Sequence, residues 1–443
     1  MRKSWLGRSL SNPGGRVGMA GHLMRLAQAP QSVAFAVCLF VVLTRSRVQL
    51  LAPDIWAEDG AVFLADAFSR SWSSLFAPYA GYFHAAPRLV AAVVAKAIPL
   101  AYIPIAVTLT SAVAYAGAAS QVASRGYEGL VGHSAARIAM AVALCFVPGL
   151  DEIVGNLTNV HWILFVWSAL ILLSSPAALR PWQLAIVGLT ALSAGESVLL
   201  IPLALARTWA AWREHSKVAF AGVATALLSL GAIANGLAHT GEQTESFIGW
   251  GTAARAFETS FVKMQLVEPL LGRYLTKTVS ASTVFEPIAS AACLGLLAAC
   301  AWRSRAKDLR LFWLFQATAM LLPVMVWAVR PGMAAIFADS IPPFWAARHS
   351  FVPGFVGAFL WFVVVARASD ARKWSALLLG LVLILHVTLD LHKVGWQLKA
   401  CDNADLSSWS YRSTNFGEAL RRRVPARVAI QPKGWEMVFA PEP

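Results

Sequence analysis

Charge is scarce in this sequence. Only 14% of its 443 residues are Asp, Glu, Lys or Arg, and the basic residues outnumber the acidic ones 37 to 23. With 58% apolar residues and a mean hydropathy of +0.59, a chain this long would not stay dissolved as a globule, which excludes an ordinary soluble domain and points to a polytopic membrane protein. The net charge of +14 suggests nucleic acid in a soluble chain. Here Lys and Arg are better explained as loop residues that fix orientation in a bilayer, so membrane lipids and no nucleic acid are expected as partners. Cysteine is scarce as well: Cys38, Cys145, Cys293 and Cys300 lie in apolar runs and Cys401 in a polar tail. That scatter gives neither a disulfide framework nor a CxxC metal site.

What is present falls into apolar runs with polar breaks. Residues 1 to 30 hold Arg2, Lys3, Arg8, Arg16 and Arg25 and no acid, and the run Val33 to Thr44 follows. This reads as a cytoplasmic head and a first span; a head this long without a clean A-x-A site argues against a cleaved leader. Further apolar segments at about 102–123, 136–150, 159–175, 182–194, 197–211, 217–239, 284–302, 310–328, 347–366 and 374–390 give an all-α fold of about eleven transmembrane helices, N-terminus inside. The short segment PRLVAAVVAKAIP carries Lys96 and reads as an interfacial helix. The expected division is a transmembrane domain over 1–390, with outer loops 52–87 and 240–283, and an outer tail over 391–443. In that tail Val424 to Ile430 and Trp435 to Phe439 alternate like a short strand pair. The basic run Arg421 to Arg423 reads as a solvated or headgroup-facing surface.

Charge placement agrees with that topology. Loops assigned to the inside, RTWAAWREHSK, WRSRAKDLR and ARASDARK, are short and basic, and of the 23 acids only Glu128, Glu214, Asp308 and Asp370 fall inside. The remaining carboxylates gather on the outer side, where a polar functional face is expected.

The richest stretch is LAPDIWAEDGAVFLADAFSRSWSSLFAPYAGYFHAAPRL. It brings Asp54, Glu58, Asp59 and Asp66 together with Tyr79, Tyr82, His84 and Arg88, which cover acid/base work, sugar stacking and anion binding. A later outer turn, PGLDEIVGNLTNVHW, packs Asp151, Glu152, Asn156, Asn159 and His161 into little loop, although Asn and Asp also favour caps and turns. Glu196 in LSAGESVLL sits in a nearly continuous apolar run, where an unpaired carboxylate is costly. An amphipathic piece, Ala253 to Lys277, reads either as a lid or as a cap on the bundle. Arg348 and His349 stand at the mouth of a span, placed to grip a lipid phosphate or simply to snorkel.

WAEDG…PYAGYFHAAPRL, GNLTNVHW, AGES, ARHSFVP and QPKGWEM, in this order and layout, resemble an uncharacterised bacterial group within or near the GT-C superfamily of polytopic glycosyltransferases. The resemblance implies an inverting transferase in the bacterial inner membrane with its active site facing the periplasm. Its donor would be a polyprenyl-phosphate-linked sugar and its acceptor a cell-envelope glycan or lipid. It further implies that Asp59 takes the proton of the acceptor hydroxyl, with Glu58 raising the basicity of the base, orienting it or exchanging roles with it. The Glu-Asp order here differs from the Asp-Glu and Asp-x-Asp orders found in parts of the superfamily. That leaves the identity of the base open, along with any divalent metal. Tyr79, Tyr82, His84, Arg88, Asn156, Asn159, His161, Glu196, Arg348 and His349 are the expected substrate-binding residues. With no βαβ pattern and no Gly-rich phosphate loop, a nucleotide-sugar donor is not expected. A lipid-linked saccharide flippase, and an oligosaccharide polymerase or ligase relying on Arg348 and His349, are the alternative readings.

Overall fold

The computed structural model describes residues 30–147, 149–174, 180–213, 218–238, 249–268, 348–368, 409–432 and 434–441, with scattered single positions between 288 and 321. The described chain is mostly helical, with two small antiparallel hairpins, the first of them β1 (Pro78–Tyr79) with β2 (Tyr82–Phe83). At its centre stands Val160–Leu173, a helix apolar all round and buried along nearly its whole length, as expected of an element that others surround. Labelled in chain order, the helices used below are α1 (Pro30–Arg45), α2 (Ala85–Ala97), α3 (Ile103–Ser120), α4 (Ser134–Leu144), the central α5 (Val160–Leu173), α6 (Pro181–Ala191), α7 (Ile201–Arg213), α8 (Val218–Ala238), α9 (Trp250–Glu258), α10 (Arg348–Ala368) and α11 (Trp409–Arg422). Helix α1 packs on α3 and α4, α5 on α3 and α6, and α8 on α6 and α7. On α10, Phe351, Phe355 and Phe359 recur at the i, i+4 spacing that puts them on one face. Their rings meet Tyr115 and Tyr127.

Successive bundle helices alternate in direction, and their connections sort into two ends. At one end the 157–158 turn meets the first loop, Ala85 N–H donates to the Leu192 carbonyl at 3.2 Å, and Phe83 N–H donates to Asn235 Oδ1 at 3.0 Å. At the other end the Tyr127 hydroxyl donates to the Leu170 carbonyl at 2.6 Å, Arg207 donates to the Ser174 carbonyl, and Arg137 pairs with Glu128.

The described residues of the apolar segments at 33–44, 102–123, 136–150, 159–175, 182–194, 217–239 and 347–366 form helices over most of their length, but the expected eleven spans are not supported as spans. Among the described residues one helix, Leu100–Ala123, is long and apolar enough to cross a membrane. Others stop short for local reasons. The 136–150 segment ends as a helix at Leu144, and Gly149 follows with φ of 85°. The segment at 197–211 begins as a 3-10 turn, Gly195–Leu200, before α7 starts. The segments at 284–302 and 310–328, except for single positions, and 374–390 lie outside the described residues.

The expected helix after the first loop is α2, and the amphipathic piece beginning at 253 is α9 continued by a π-helical stretch, Thr259–Val267. The strand pair expected in the tail is β3 (Ala426–Ile430) with β4 (Trp435–Phe439), paired Ile430 to Trp435 and Ala426 to Phe439. Ahead of it runs α11, which burial of Trp409, Ser413 and Phe416 holds to the body. A second core forms where this tail meets the first loop, built from Ile55, Phe63, Leu64, Leu157, Phe416, Ile430, Met437 and Phe439.

Candidate functional site

Asp59 opens a π-helical turn, Asp59–Leu64, and is 1% exposed. Its partners come from the turn ahead of α5. Leu157 N–H donates to Oδ2 at 2.6 Å, while Thr158 N–H and the Thr158 hydroxyl donate to Oδ1 at 2.8 and 2.7 Å. Oδ1 is thereby saturated and Oδ2 keeps a lone pair. Burial pushes the Asp59 carboxyl up to about 7, the three hydrogen bonds oppose this, and the Glu58 charge adds the smallest push. The tuning expected from Glu58 is therefore secondary to desolvation. Glu58 itself is half-buried one residue away.

Thr158 also connects Asp59 to a histidine. Its carbonyl accepts from His161 Nδ1 at 2.6 Å, and His161 Nε2 lies 3.4 Å from Glu196 Oε1. Because a carbonyl only accepts, Nδ1 carries a proton and Nε2 is the ring nitrogen turned to Glu196. Among the described residues Oε1 makes no hydrogen bond, so the 3.4 Å approach is an electrostatic contact. Burial pushes the Glu196 carboxyl up to about 7, its own backbone N–H opposing. The carboxylate expected to be costly in an apolar run thus faces an imidazole.

The aromatic residues expected to bind substrate form a second hairpin, Pro78–Tyr79 against Tyr82–Phe83. His84 is buried behind it, stacked on Tyr82 at 4.1 Å and edge-on to Tyr79 at 5.4 Å, with Phe63 5.4 Å away. His161 approaches the same cluster 6.0 Å from His84 and 6.2 Å from Tyr82. Arg88, one turn further along α2, is 1% exposed, pairs with Asp66 at 2.8 Å and lies over the Phe63 ring. Ser193, in the turn that leads to Glu196, accepts Ala86 N–H at 2.8 Å, and Asn235 on α8 accepts Phe83 N–H at 3.0 Å.

Of the expected site residues, Asp59, Glu58, Tyr79, Tyr82, His84, Arg88, His161 and Glu196 gather at this end. Asn156 and Asn159 are close by, but their amides shape the loop: both Nδ2 groups donate to the Glu152 carbonyl, and Asn156 Oδ1 accepts Asn159 N–H. Arg348 and His349 lie in the first turn of α10, and their side chains lie outside the described residues. Asp151, also expected on the outer face, pairs with Arg45 at 3.0 Å. Sequence reasoning passed over Thr158, Arg412 and Gln431. Arg412 pairs with Asp54, and Gln431 forms a parallel bridge with Trp56. Burial outweighs Arg412 and leaves the Asp54 carboxyl raised. Among the described residues, no group of three or more His, Cys, Asp or Glu side chains is arranged to hold a metal ion.

The arrangement offers a buried carboxylate protonating near neutrality, a His–Glu pair linked to it through Thr158, and a buried guanidinium. No family model, curated protein or solved structure matches this chain.

Proposed function

We propose that this chain is an inverting glycosyltransferase of GT-C type. It moves a sugar from a polyprenyl-phosphate donor to a cell-envelope glycan or lipid acceptor at the outer face of the inner membrane. The observation that carries the reading is Asp59: a buried carboxyl of the first loop, raised to about 7 and linked through Thr158 to His161. A base of that strength takes a proton from a hydroxyl as the oxygen attacks and returns it near neutral pH.

In the step proposed, the acceptor O–H proton passes to Asp59 while the acceptor oxygen bonds to the anomeric carbon. The bond from that carbon to the phosphate oxygen breaks, and polyprenyl phosphate leaves with the electron pair. Arg88 and the His161–Glu196 pair bind the polar groups of the substrates. Eleven spans with the head inside and the tail outside belong to the same reading, of which Leu100–Ala123 is the one helix among the described residues long and apolar enough to cross a membrane.

The test is transfer of labelled sugar from a lipid-linked sugar extract by the full chain, purified in nanodiscs, to an envelope glycan or lipid fraction. The reading expects product formed in proportion to protein. If none forms while labelled lipid-linked saccharide crosses a sealed bilayer, the chain is a flippase instead.

A further inference from the structure

We propose that the C-terminal hairpin is a positioning element for Asp59, and that Gly60 and Arg412 are the positioning residues through which it acts. This rests on the catalytic reading of Asp59 only for its effect on turnover; the positioning itself has a separate readout.

Three contacts join the tail to the segment that leads into Asp59. Gln431 N–H donates to the Ile55 carbonyl at 2.9 Å and the Gln431 carbonyl accepts Ala57 N–H, so residues 55 to 57 run as a short parallel neighbour of the tail. Arg412 donates both to the Ala429 carbonyl and to the Asp54 carboxylate, so one guanidinium ties the two segments together. Ile430, fully buried, lies directly on Gly60: a Cβ added there would come within 2.5 Å of Ile430 Cδ1 and 2.7 Å of Ile55 Cγ2. Only a residue without a side chain lets the strand sit this close to the turn that carries Asp59.

These contacts bracket Asp59 on both sides in sequence, at 54 to 57 and at 60. The tail therefore sets the height and rotation of the π-helical turn, and with them the meeting of the carboxylate with Leu157 and Thr158. A displacement of about 1 Å at a reacting group costs on the order of 10²-fold in rate. A tail that merely covered apolar surface would change the amount of folded protein and leave turnover per folded molecule alone.

The experiment compares Gly60→Ala, Ile430→Val and the double variant in the full-length protein in nanodiscs. It measures kcat and KM for a lipid-linked sugar extract and amide hydrogen exchange at Leu157 and Thr158. Ile430→Val deletes Cδ1, the nearer of the two methyls that the new Cβ would meet, and leaves Ile55 Cγ2 in place. The expected result is a fall of roughly 10- to 100-fold in kcat for Gly60→Ala with little change in KM, faster exchange at both amides, and recovery of about tenfold in kcat with slower exchange in the double variant. Should Gly60→Ala not fold, Arg412→Gln is read the same way, with faster exchange at Leu157 and Thr158 expected. Exchange at both amides unchanged in folded Gly60→Ala, or in Arg412→Gln, overturns the proposal. Exchange that responds and recovers in a protein that transfers no sugar upholds the positioning and overturns the glycosyltransferase reading alone.

Discussion

Thr158 gives Asp59 two hydrogen bonds to one carboxylate oxygen, from its backbone N–H at 2.8 Å and its hydroxyl at 2.7 Å, across 99 residues of chain. The hydroxyl favours the charged carboxylate and so works against burial, which is the larger influence. The balance leaves a carboxyl that takes up its proton near pH 7.

The pH dependence of transfer follows from that balance. Asp59 must be unprotonated to act, so kcat/KM should rise with pH and level off above about 7. Thr158→Val keeps shape and removes one bond to the charged form, so the rising limb should move to higher pH. A rate profile measured from pH 5 to 9 checks both; a limb that stays in place in the variant removes Thr158 from the account.

Glu196 makes a prediction about stability. Its carboxyl is raised in the fold to about 7 from an ordinary value of 4.5, so the folded state holds that proton more tightly than the unfolded chain. The associated stability is complete below the unfolded value and is lost as pH rises through about 7. Glu196→Gln should therefore narrow the fall in Tm between pH 5 and pH 8.5. An unaltered fall in thermal scans at the two pH values contradicts the assignment.

Asp66 and Arg88 are a structural pair before anything else. Asp66→Asn would leave a guanidinium that is 1% exposed without its counter-charge. We expect a loss of about 1–3 kcal/mol, less than for a fully buried pair because Asp66 is partly exposed. Chemical unfolding of the solubilised variant checks this, and wild-type stability would show that Asp66 does not hold Arg88.

Sidedness is tested by reporter fusions. Those at residues 60, 155 and 420 should report the outside and those at 125 and 210 the inside, because Asp59 meets the 157–158 turn and Ile430 packs against Gly60, whereas Tyr127 and Arg207 contact the far end of α5. Residues 60 and 155 reporting opposite sides would contradict the fold itself.

What the sequence disclosed was local. Apolar runs marked α1, α3, α5 and α8, alternation marked β3 and β4, and an acid in an apolar run marked Glu196, because periodicity and desolvation act within a few residues. The helix α11 carried a signal that went unused, with Trp409, Ser413, Phe416 and Leu420 at helical spacing. Thr158 was overshadowed by the two Asn residues around it, whose amides shape the loop and leave Thr158 to meet Asp59. The Trp56–Gln431 bridge joins distant parts of the chain, and no local pattern encodes such a pairing. Hydropathy overstates helix length because it continues through turns, as at Cys145, where α4 has ended, and over Gly195–Leu200.

The central claim is that Asp59 is the base, and its substitution is the most direct measurement. Asp59→Asn abolishes basicity but also presents an amide to the N–H donors of Leu157 and Thr158, so some loss of stability is expected and the rate must be taken per folded molecule. With full-length protein in nanodiscs, sugar transfer from a lipid-linked sugar extract should fall by about 10²- to 10⁴-fold while binding of that extract persists. Asp59→Asn transferring sugar at the unmodified rate would contradict the account.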